Sequence, residues 1–310
     1  MIDWRRLRVL RAVDHYGTVT AAARALHFTT SAASQQIRQL GRELDLVLLE
    51  QQGRGVRLTP AARTLLAHAD AIQARWEQAQ VDLYATLGKP AGLLRVSGFP
   101  VAISTLLAPM AAALKASHDD LTVQIQEAEL RDSLDLLFES GVDLAIIEAT
   151  PENPPLNDPR FDQQELLDDP FDLVVAATHP LARRTEVALA EAATEDWIAP
   201  LSGSTCHTHT FSACTAAGFT PAVAHRAAEW NAMAHLAAHG LGVALVPRLA
   251  HIAADPPVVR IPITGNPRPV RKLLTCTRRG GRTHPAVEAA LGELKLIAPT
   301  VLAQQLRRGA

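Results

Sequence analysis

Apolar residues recur at helical spacing through the first sixty positions and divide them into three short predicted helices. Asp3, Thr18 and Thr29 each stand where a helix N-cap is expected, and Gly17 ends the first helix. The inward-facing residues of the three helices are Leu7, Leu10 and Val13, then Val19, Ala22, Ala23 and Leu26, then Ala33, Ile37, Leu40 and Leu44. Two short helices and a tight turn before a third helix are typical of a helix-turn-helix.

The third predicted helix has an outward face that is polar and almost free of acidic residues. Such side chains hydrogen-bond base edges and phosphates when a helix enters the major groove. The candidate DNA-contacting residues here are Thr29, Thr30, Ser31, Ser34, Gln35 and Arg38. The alternative is an ordinary solvated helix face, in which Glu and Lys would be commoner.

A hairpin is predicted in residues 48–58, where apolar residues flank Gly53-Arg54-Gly55. On this wing, Arg54 and Arg57 would meet the DNA backbone and add affinity without sequence information. Residues 1–60 hold nine arginines and five acids, whereas the remainder holds 21 basic and 27 acidic residues. A basic head on an acidic body favours double-stranded DNA as a partner, although chance clustering of surface arginines would give the same count.

A long helix is predicted from Thr59-Pro60 to about residue 87, before Gly88-Lys89-Pro90 stops it. Its apolar stripe follows spacings of four and three residues through Leu65, Ala69, Ile72, Trp76, Ala79 and Leu83. A stripe of this kind between domains usually packs on a partner helix, which would give a dimer with two recognition helices. Packing on its own chain is the alternative.

Residues 91–310 alternate predicted strands with predicted helices, which indicates an α/β module built from βαβ units with parallel sheets. The strands are expected at 93–97, 121–125, 143–148, 173–177, 222–226, 243–246 and 272–277. The helices are expected at 101–116, 133–140, 231–239 and 285–297, with another after a Ser/Thr-rich loop at 202–210. The pattern gives two lobes, with the chain crossing between them near 161–166 and 263–267.

Composition points to the cytoplasm. Three cysteines (Cys206, Cys214 and Cys276) form no paired framework, which fits a reducing compartment. The N-terminus has no apolar secretory region after its first charges, and apolar runs such as 241–247 are far shorter than a membrane span. We therefore expect a cytoplasmic protein with no membrane partner.

Several short sequence motifs of the chain are similar to motifs of one family, the LysR-type transcriptional regulators. The specific ones are Ala22-Ala23-Arg24-Ala25-Leu26-His27, Ser34-Gln35-Gln36-Ile37-Arg38-Gln39-Leu40 and Arg54-Gly55-Val56-Arg57-Leu58-Thr59-Pro60-Ala61. Weaker motifs follow in the right order at 142–146, 179–182 and 240–247, so the resemblance covers nearly the whole chain.

The resemblance implies an N-terminal winged helix-turn-helix, a linker helix and a two-lobed α/β effector module like a periplasmic binding protein. With the pattern above, we expect a DNA-binding domain at 1–58, a dimerisation helix at 59–88 and an effector-binding module at 91–310. Lobe one would span about 91–162 and 267–300, and lobe two about 163–266.

The chain departs from the family pattern at three positions in the predicted head. Gly41 replaces a usual Glu, Asp45 replaces a usual Gly, and Gln51 replaces a usual Arg that contacts phosphate. A Gly inside the third helix should weaken it by about 1 kcal/mol relative to Ala. These departures bear on the affinity and on the operator sequence, not on the presence of the module.

The family resemblance also implies an effector in the cleft between the lobes. In α/β lobes, ligands lie beyond the carboxyl ends of strands and beside helix N-termini. The candidate effector-binding residues are Ser97, Gly98, Phe99, Pro100 and Val101 in lobe one, and Ser204, Thr205, His207 and Asn231 in lobe two. Their hydroxyl and backbone N–H groups would suit an organic anion and Phe99 an apolar portion; the alternative is that they are ordinary caps and turns.

No catalytic residue, metal or cofactor is expected. The run Cys206-His207-Thr208-His209 lacks the spread ligand pairs of a structural zinc site. Gly240-x-Gly242 lacks the third glycine of a dinucleotide fingerprint, and neither a phosphate-binding P-loop nor a nucleophile elbow is present.

The hypothesis is a sequence-specific transcriptional regulator, not an enzyme, whose activity a small-molecule effector modulates. It would act as a dimer, or as the tetramer that the resemblance implies, with RNA polymerase as a further candidate partner. The alternatives are a small-molecule-binding or enzymatic α/β protein whose N-terminal domain serves assembly, and a DNA-binding regulator with no effector.

Overall fold

A computed structural model describes residues 3–52, 55–86, 88–151, 153–255, 257–265 and 268–308. The chain divides into two compact units, Met1–Gln80 and Val81–Ala310. The first unit comprises three helices, a hairpin and most of a long helix. Its elements are α1 (Trp4–Tyr16), α2 (Val19–Ala25), α3 (Thr30–Leu44), β1 (Leu49–Gln52), β2 (Gly55–Leu58) and α4 (Pro60–Ala85).

The predicted helix starts of the first unit are confirmed by their caps. The side chains of Asp3, Thr18 and Thr29 accept hydrogen bonds from the backbone N–H groups of Arg5, Ala21 and Ala32. The inward residues pack into one core, in which Leu10 and Leu40 are fully buried. Burial of each such leucine contributes about 1.5–3 kcal/mol, so the helix-turn-helix holds its shape through this core.

The long helix α4 begins where Thr59 predicts it, because the Thr59 hydroxyl accepts from the Ala62 N–H at 3.1 Å. An ion pair between Arg11 Nε and Asp70 Oδ1, 2.8 Å apart and almost buried, joins α1 to α4. Only part of the apolar stripe on α4 is buried by residues of the same chain. Ile72, Trp76 and Leu83 are each more than half exposed.

The second unit is an α/β module. Its strands are β3 (Gly92–Gly98), β4 (Leu121–Glu127), β5 (Leu144–Glu148), β6 (Phe161–Ala176), β7 (Val187–Ala188), β8 (Asp196–Ala199), β9 (Ala222–Arg226), β10 (Ala244–Pro247), β11 (Val258–Thr264) and β12 (Val270–Arg278). They form a mixed sheet of strand order β4-β3-β5-β12-β6-β11-β7, in which β10 also pairs with β6. Strands β8 and β9 form a separate parallel pair. The helices are α5 (Pro100–Ala102), α6 (Ala108–Ser117), α7 (Leu130–Phe138), α8 (Thr205–Ala216), α9 (Trp230–Ala238) and α10 (Pro285–Arg308), with short 3-10 turns at Pro180–Arg183 and Leu189–Ala192.

The expectation of all-parallel sheets is wrong for part of the module. Strands β3, β4 and β5 are parallel, but β12 and β6 run antiparallel to their neighbours. These two strands carry the chain between the lobes, so their direction is opposite to that of the strands they join.

The first crossing between lobes also lies later than residues 161–166. Strand β6 pairs with β12 as far as Pro170, and from Phe171 onwards it pairs with β10 and β11. Proline has no N–H to donate to a ladder, which suits the point where the partners change. The return crossing precedes Val270, where β12 begins.

Two helical segments differ from the sequence-based prediction. The expected loop at 202–210 is helical from Thr205, because Ser204 caps α8 by accepting from the His207 N–H. Helix α10 continues beyond residue 297 to Arg308, with Pro299 inside it. The start of α8 is polar and lacks the apolar periodicity that predicts a helix, and Pro299 in α10 is a residue at which a helix is expected to end.

One described segment, Pro100–Ser117, is long and apolar enough by composition to qualify as a membrane span, which the sequence analysis did not expect. It combines α5 and α6 through a π-helical turn at Ile103–Leu107. Leu106, Leu107 and Met110 are fully buried in the core of the module. The apolar composition of the segment therefore serves packing of the α/β core.

Candidate functional site

The outward face of α3 presents the polar side chains that the sequence singled out. The side chains of Thr30, Gln35 and Arg38 are exposed and make no hydrogen bond or ion pair with any described residue. Thr29 caps the helix, and its hydroxyl lies 3.0 Å from that of the exposed Ser31. Ser34 is half-buried. The face thus leaves several donors and acceptors available to a partner.

The wing lies next to this face. A groove of about 550 Å3 between α3 and the hairpin is lined by Ser34 and Arg38 from α3 and Val56 from β2. Arg57 does not project freely, since its Nε lies 2.6 Å from Oε1 of Glu50, its register partner on β1. Arg54 lies outside the described residues, so the structure does not place the second predicted wing arginine.

The structure explains one of the three departures in the head, the glycine at position 41. A Cβ on Gly41 would lie 2.6 Å from the carbonyl oxygen of Leu46, so the backbone return after α3 leaves no room for a side chain. Asp45 takes the left-handed conformation at the helix end, with φ of 54°. Gln51 is exposed on β1, and nothing in the structure explains its choice.

In lobe one, the five predicted effector residues form the turn from β3 into α5, but most serve the fold. The buried Ser97 hydroxyl donates to the Ser133 hydroxyl. Gly98 lets the Leu107 side chain pack closely, because a Cβ at position 98 would lie 3.1 Å from Leu107 Cδ1. Val101 is buried in the core and Pro100 is exposed at the start of α5. Only Phe99 meets a charged group of the cleft.

In lobe two, the predicted residues are similarly divided. Ser204 caps α8, the His207 ring stacks on Phe211 with centroids 4.2 Å apart, and Asn231 accepts from the Ala253 N–H at 3.0 Å. Asn231 is the second residue of α9 and does not open it. Thr205 alone lies near a charged residue of lobe one, Glu148, whose pKa it lowers.

A buried charged cluster joins the two lobes at Arg271. The Arg271 guanidinium donates to Glu148 Oε1 at 2.6 Å and to Asp169 Oδ2 at 2.8 Å, and lies 5.0 Å from the Phe99 ring centroid. Nε2 of His209 on α8 lies 3.7 Å from Glu148 Oε2. All three members of the ion-pair network, Glu148, Asp169 and Arg271, are almost fully buried.

The cluster holds polar atoms with no hydrogen-bond partner among the described residues. These atoms are Glu148 Oε2, His209 Nε2 and Arg271 Nη2. Buried polar groups are normally hydrogen-bonded, so this group of atoms without hydrogen bonds is a candidate place for a polar ligand or ordered water.

The electrostatics of the cluster are set by two acids around one arginine. Burial would raise the pKa of Glu148, but His209, Arg271 and Thr205 together lower it to about 2. Burial raises the pKa of Asp169 despite the contact with Arg271. Burial and the Glu148 charge raise the pKa of Cys206 to about 12, so this cysteine stays a thiol and offers no reactive thiolate.

Sequence reasoning missed the four central residues of this cluster: Glu148, Asp169, His209 and Arg271. One signal was available, because Glu148 ends the apolar run of β5 and Arg271 stands beside Val270 at the start of an apolar strand. A charged residue inside an apolar strand needs a buried partner. The partners, however, lie 21, 61 and 123 residues from Glu148 in the chain and come together only through the fold.

Two family models match this chain. Residues 4–63 match a bacterial regulatory helix-turn-helix protein of the lysR family, and residues 87–296 match a LysR substrate binding domain. Both matches fall on the elements described above: α1 to α4 for the first, and the α/β module for the second.

Individual relatives agree with the family models. The transcriptional dual regulator GltC of Bacillus subtilis is 26% identical over 84% of this chain and 86% of its own length. The probable regulator LrrA of Synechococcus elongatus is 26% identical over 96% of this chain and 98% of its own length. Among solved structures, an H2O2-bound OxyR mutant from Corynebacterium glutamicum superposes with a TM-score of 0.64 at 22% identity, covering 100% of this chain and 96% of that one. The chain therefore belongs to the LysR family of DNA-binding transcriptional regulators, with a helix-turn-helix domain and an effector-binding domain.

Proposed function

We propose that this regulator binds operator DNA as a dimer or tetramer in the cytoplasm and senses a small molecule held around Arg271 between its lobes. The observation that carries the proposal is the buried cluster in which residues of both lobes present unpaired polar atoms. The proposed division is a DNA-binding domain at 1–58, a linker helix at 59–88 and a two-lobed module at 91–310.

DNA reading is assigned to the α3 face. Gln35 suits adenine, Arg38 suits guanine or phosphate, and the hydroxyls of Thr29, Thr30, Ser31 and Ser34 suit base edges or phosphates. Arg57 on the wing is assigned to the phosphate backbone, together with Arg54, three residues before it in the sequence. The free side chains on the outer face of α3 support this assignment.

Dimerisation is assigned to α4. Exposed Ile72, Trp76 and Leu83 follow a heptad-like spacing on one helix, and burying them requires a second helix. Two heads joined in this way would grip a pseudo-palindromic site. The free cysteines fit a reducing compartment, and RNA polymerase is the partner on which a change in DNA bending would act.

The effector chemistry follows from the cleft charges. Two carboxylates, those of Glu148 and Asp169, surround the Arg271 guanidinium. The purely anionic ligand expected from the sequence would be repelled by these two carboxylates. A ligand that offers a donor to Glu148 Oε2 and an acceptor to Arg271 Nη2 satisfies both unpaired atoms. Phe99 would contact its apolar part, with Thr205 and the neighbouring residues of the two lobes at the margin of the site.

Effector binding would act through the arrangement of the lobes. The His209–Glu148 contact spans the cleft, and a ligand inserted there changes the distance between α8 and β5. It shifts the regulator only if it binds one lobe arrangement more tightly than the other.

The test is fluorescence anisotropy on DNA from upstream of the protein's own gene, beside a scrambled duplex and at two salt concentrations. We expect salt-dependent binding that prefers the native duplex. Gln35→Ala should cost about 1–3 kcal/mol on the native duplex and less on the scrambled one. Gln39→Ala, on the same helix but paired with Glu43, is the matched control.

Two results would overturn the proposal. One is a folded protein that binds neither duplex at low salt, which would make the head an assembly domain. The other is an equal loss on both duplexes from Gln35→Ala, which would remove Gln35 from base reading. A thermal-shift screen with zwitterionic and neutral polar ligands, repeated on Arg271→Met, tests the cleft independently of DNA.

A further inference from the structure

A second cavity, of about 400 Å3, lies in the effector module against α8. We define the hinge pocket by Phe171, His209, Ala213, Ala216, Ile263 and Arg268, which line it. Neither Glu148 nor Arg271 lines this pocket. It is therefore separate from the charged cluster, with His209 as the residue common to both.

Beyond His209, the wall formed by α8 carries only small side chains. Ser212, Ala213 and Ala216 of the helix and Ala217 just after it line the pocket, whereas Cys214 on the opposite face is buried in the lobe core. Facing this wall are larger apolar side chains, those of Phe171, Leu189 and Ile263. The volume lies within the range of small-molecule sites.

The charge of the pocket is opposite to that of the cleft. No described residue that lines it is acidic, and Arg268 at its edge is exposed and makes no ion pair with the described part of the chain. The hydroxyls of Ser212 and Thr264 add donors. An apolar wall with a free guanidinium complements a molecule that has an apolar body and one carboxylate.

The position of the pocket connects it to lobe movement. Phe171 is the residue at which β6 changes partners. Pro269 precedes and Val270 begins the strand that returns to lobe one, so both crossings contribute walls. The His209 ring lies 5.8 Å from that of Phe171 and its Nε2 3.7 Å from Glu148. An occupant that presses on His209 therefore changes the contact that closes the cleft.

We propose that the hinge pocket binds a small apolar carboxylate and that this second ligand is coupled, through His209, to the cleft between the lobes. The coupling is reciprocal: a hinge ligand that strengthens the His209–Glu148 contact binds more tightly when the cleft is closed. This site goes beyond the proposed cleft effector and does not depend on DNA binding.

The experiment is calorimetric titration of the full-length protein with 3-phenylpropanoate, compared with 3-phenylpropan-1-ol and propanoate. We expect 3-phenylpropanoate to bind, and the alcohol and the short acid each to bind about tenfold more weakly or not at all. Ala216→Leu fills the pocket and should weaken binding at least about tenfold, whereas Thr215→Leu on the same helix outside the lining should not. Arg268→Gln should weaken the acid but not the alcohol, with Arg183→Gln as its control.

Coupling is measured by repeating the titration on Glu148→Gln, which removes the charge facing His209. A change of about threefold or more in the affinity of 3-phenylpropanoate supports the link. Absence of binding at about 5 mM overturns the site. So does binding that Glu148→Gln abolishes while Ala216→Leu and Arg268→Gln leave it unchanged, because the molecule then occupies the cleft. Each variant is checked by circular dichroism, and DNA affinity is measured separately so that a failure of the head does not affect the result.

Discussion

The backbone of Leu46 packs directly against Gly41 where the chain leaves the recognition helix α3. The Leu46 N–H donates to the Gly41 carbonyl at 2.9 Å, and the Leu46 carbonyl oxygen comes within 2.6 Å of where a Gly41 Cβ would stand. The glycine that appeared to weaken α3 is thus the residue that lets the chain turn back under the helix. Side-chain space decides the outcome here, not helix propensity.

Gly41→Ala should therefore destabilise the head, although alanine is the better helix former. Moving the Leu46 carbonyl would cost about 1–3 kcal/mol, which exceeds the gain of about 1 kcal/mol from propensity. Hydrogen exchange of the α3 amides in the full-length protein measures the change, with faster exchange expected. Slower exchange in the variant would show that the close approach is absent.

At Asp45, in contrast, a change to glycine should stabilise the head. Its φ of 54° is a left-handed conformation that glycine adopts without a steric penalty. Asp45→Gly should stabilise the end of α3 by up to about 1 kcal/mol. The same exchange at Asp14, which is exposed inside α1, should bring no gain, and thermal unfolding of both variants makes the comparison. Equal effects at the two positions would contradict a conformational origin.

The sequence predicted the head almost completely because its determinants are local. The caps Asp3, Thr18 and Thr29 and the apolar spacing within each helix act over a few residues. The close approach of Leu46 to Gly41 was not predictable, since it depends on the three-dimensional course of the loop after α3.

The effector module was predicted in outline but not at its site. Residues chosen by their position at a strand end or a helix start, such as Ser97 and Asn231, hydrogen-bond within their own lobe. The cluster around Arg271 depends on pairings across more than one hundred residues, such as Arg271 with Glu148. Periodicity carries no information on such pairings.

Glu50 should limit how strongly the wing holds DNA. Its carboxylate pairs with the exposed Arg57 at 2.6 Å, and a surface pair of this kind contributes only about 0–1 kcal/mol, so losing it should not unfold the hairpin. Glu50→Gln should raise affinity for any duplex and steepen the salt slope by about one unit. Anisotropy at several salt concentrations measures both quantities. Arg57→Ala is the complementary variant, with the opposite change in slope expected; unchanged affinity in both would remove the wing from the DNA interface.

Trp76 should hold the dimer together. Trp76 is 57% exposed on α4 and lies between Ile72 and Leu83, which are 56% and 64% exposed. Trp76→Glu should dissociate the dimer and lower DNA affinity, because a charge cannot be buried there without a partner. Arg75→Glu places the same charge one residue away, off the stripe, and should leave the assembly intact. Sedimentation that shows the same species for both variants would contradict the assigned interface.

Acid should loosen the cleft through Glu148. Its pKa of about 2 lies below the usual value of 4.5, so the carboxylate stabilises the folded protein fully above about pH 4.5 and progressively less as the pH falls towards 2. The difference corresponds to about 3 kcal/mol. Glu148→Gln should therefore be less stable than the natural chain near neutral pH, and the gap should narrow at about pH 3.5, as followed by urea unfolding.

Glu129 provides a control of opposite sign for that measurement. Burial, followed by the charges of Glu148 and Glu127, raises the pKa of Glu129, so its ionised form destabilises the folded protein above that pKa. Glu129→Gln should then increase stability near neutral pH and make no difference below about pH 4.5, where the group is protonated in both states. Two variants that remove one carboxylate each and respond with opposite signs would locate the effect in the electrostatics of the cleft. The same sign for both would instead assign it to the net charge of the whole module.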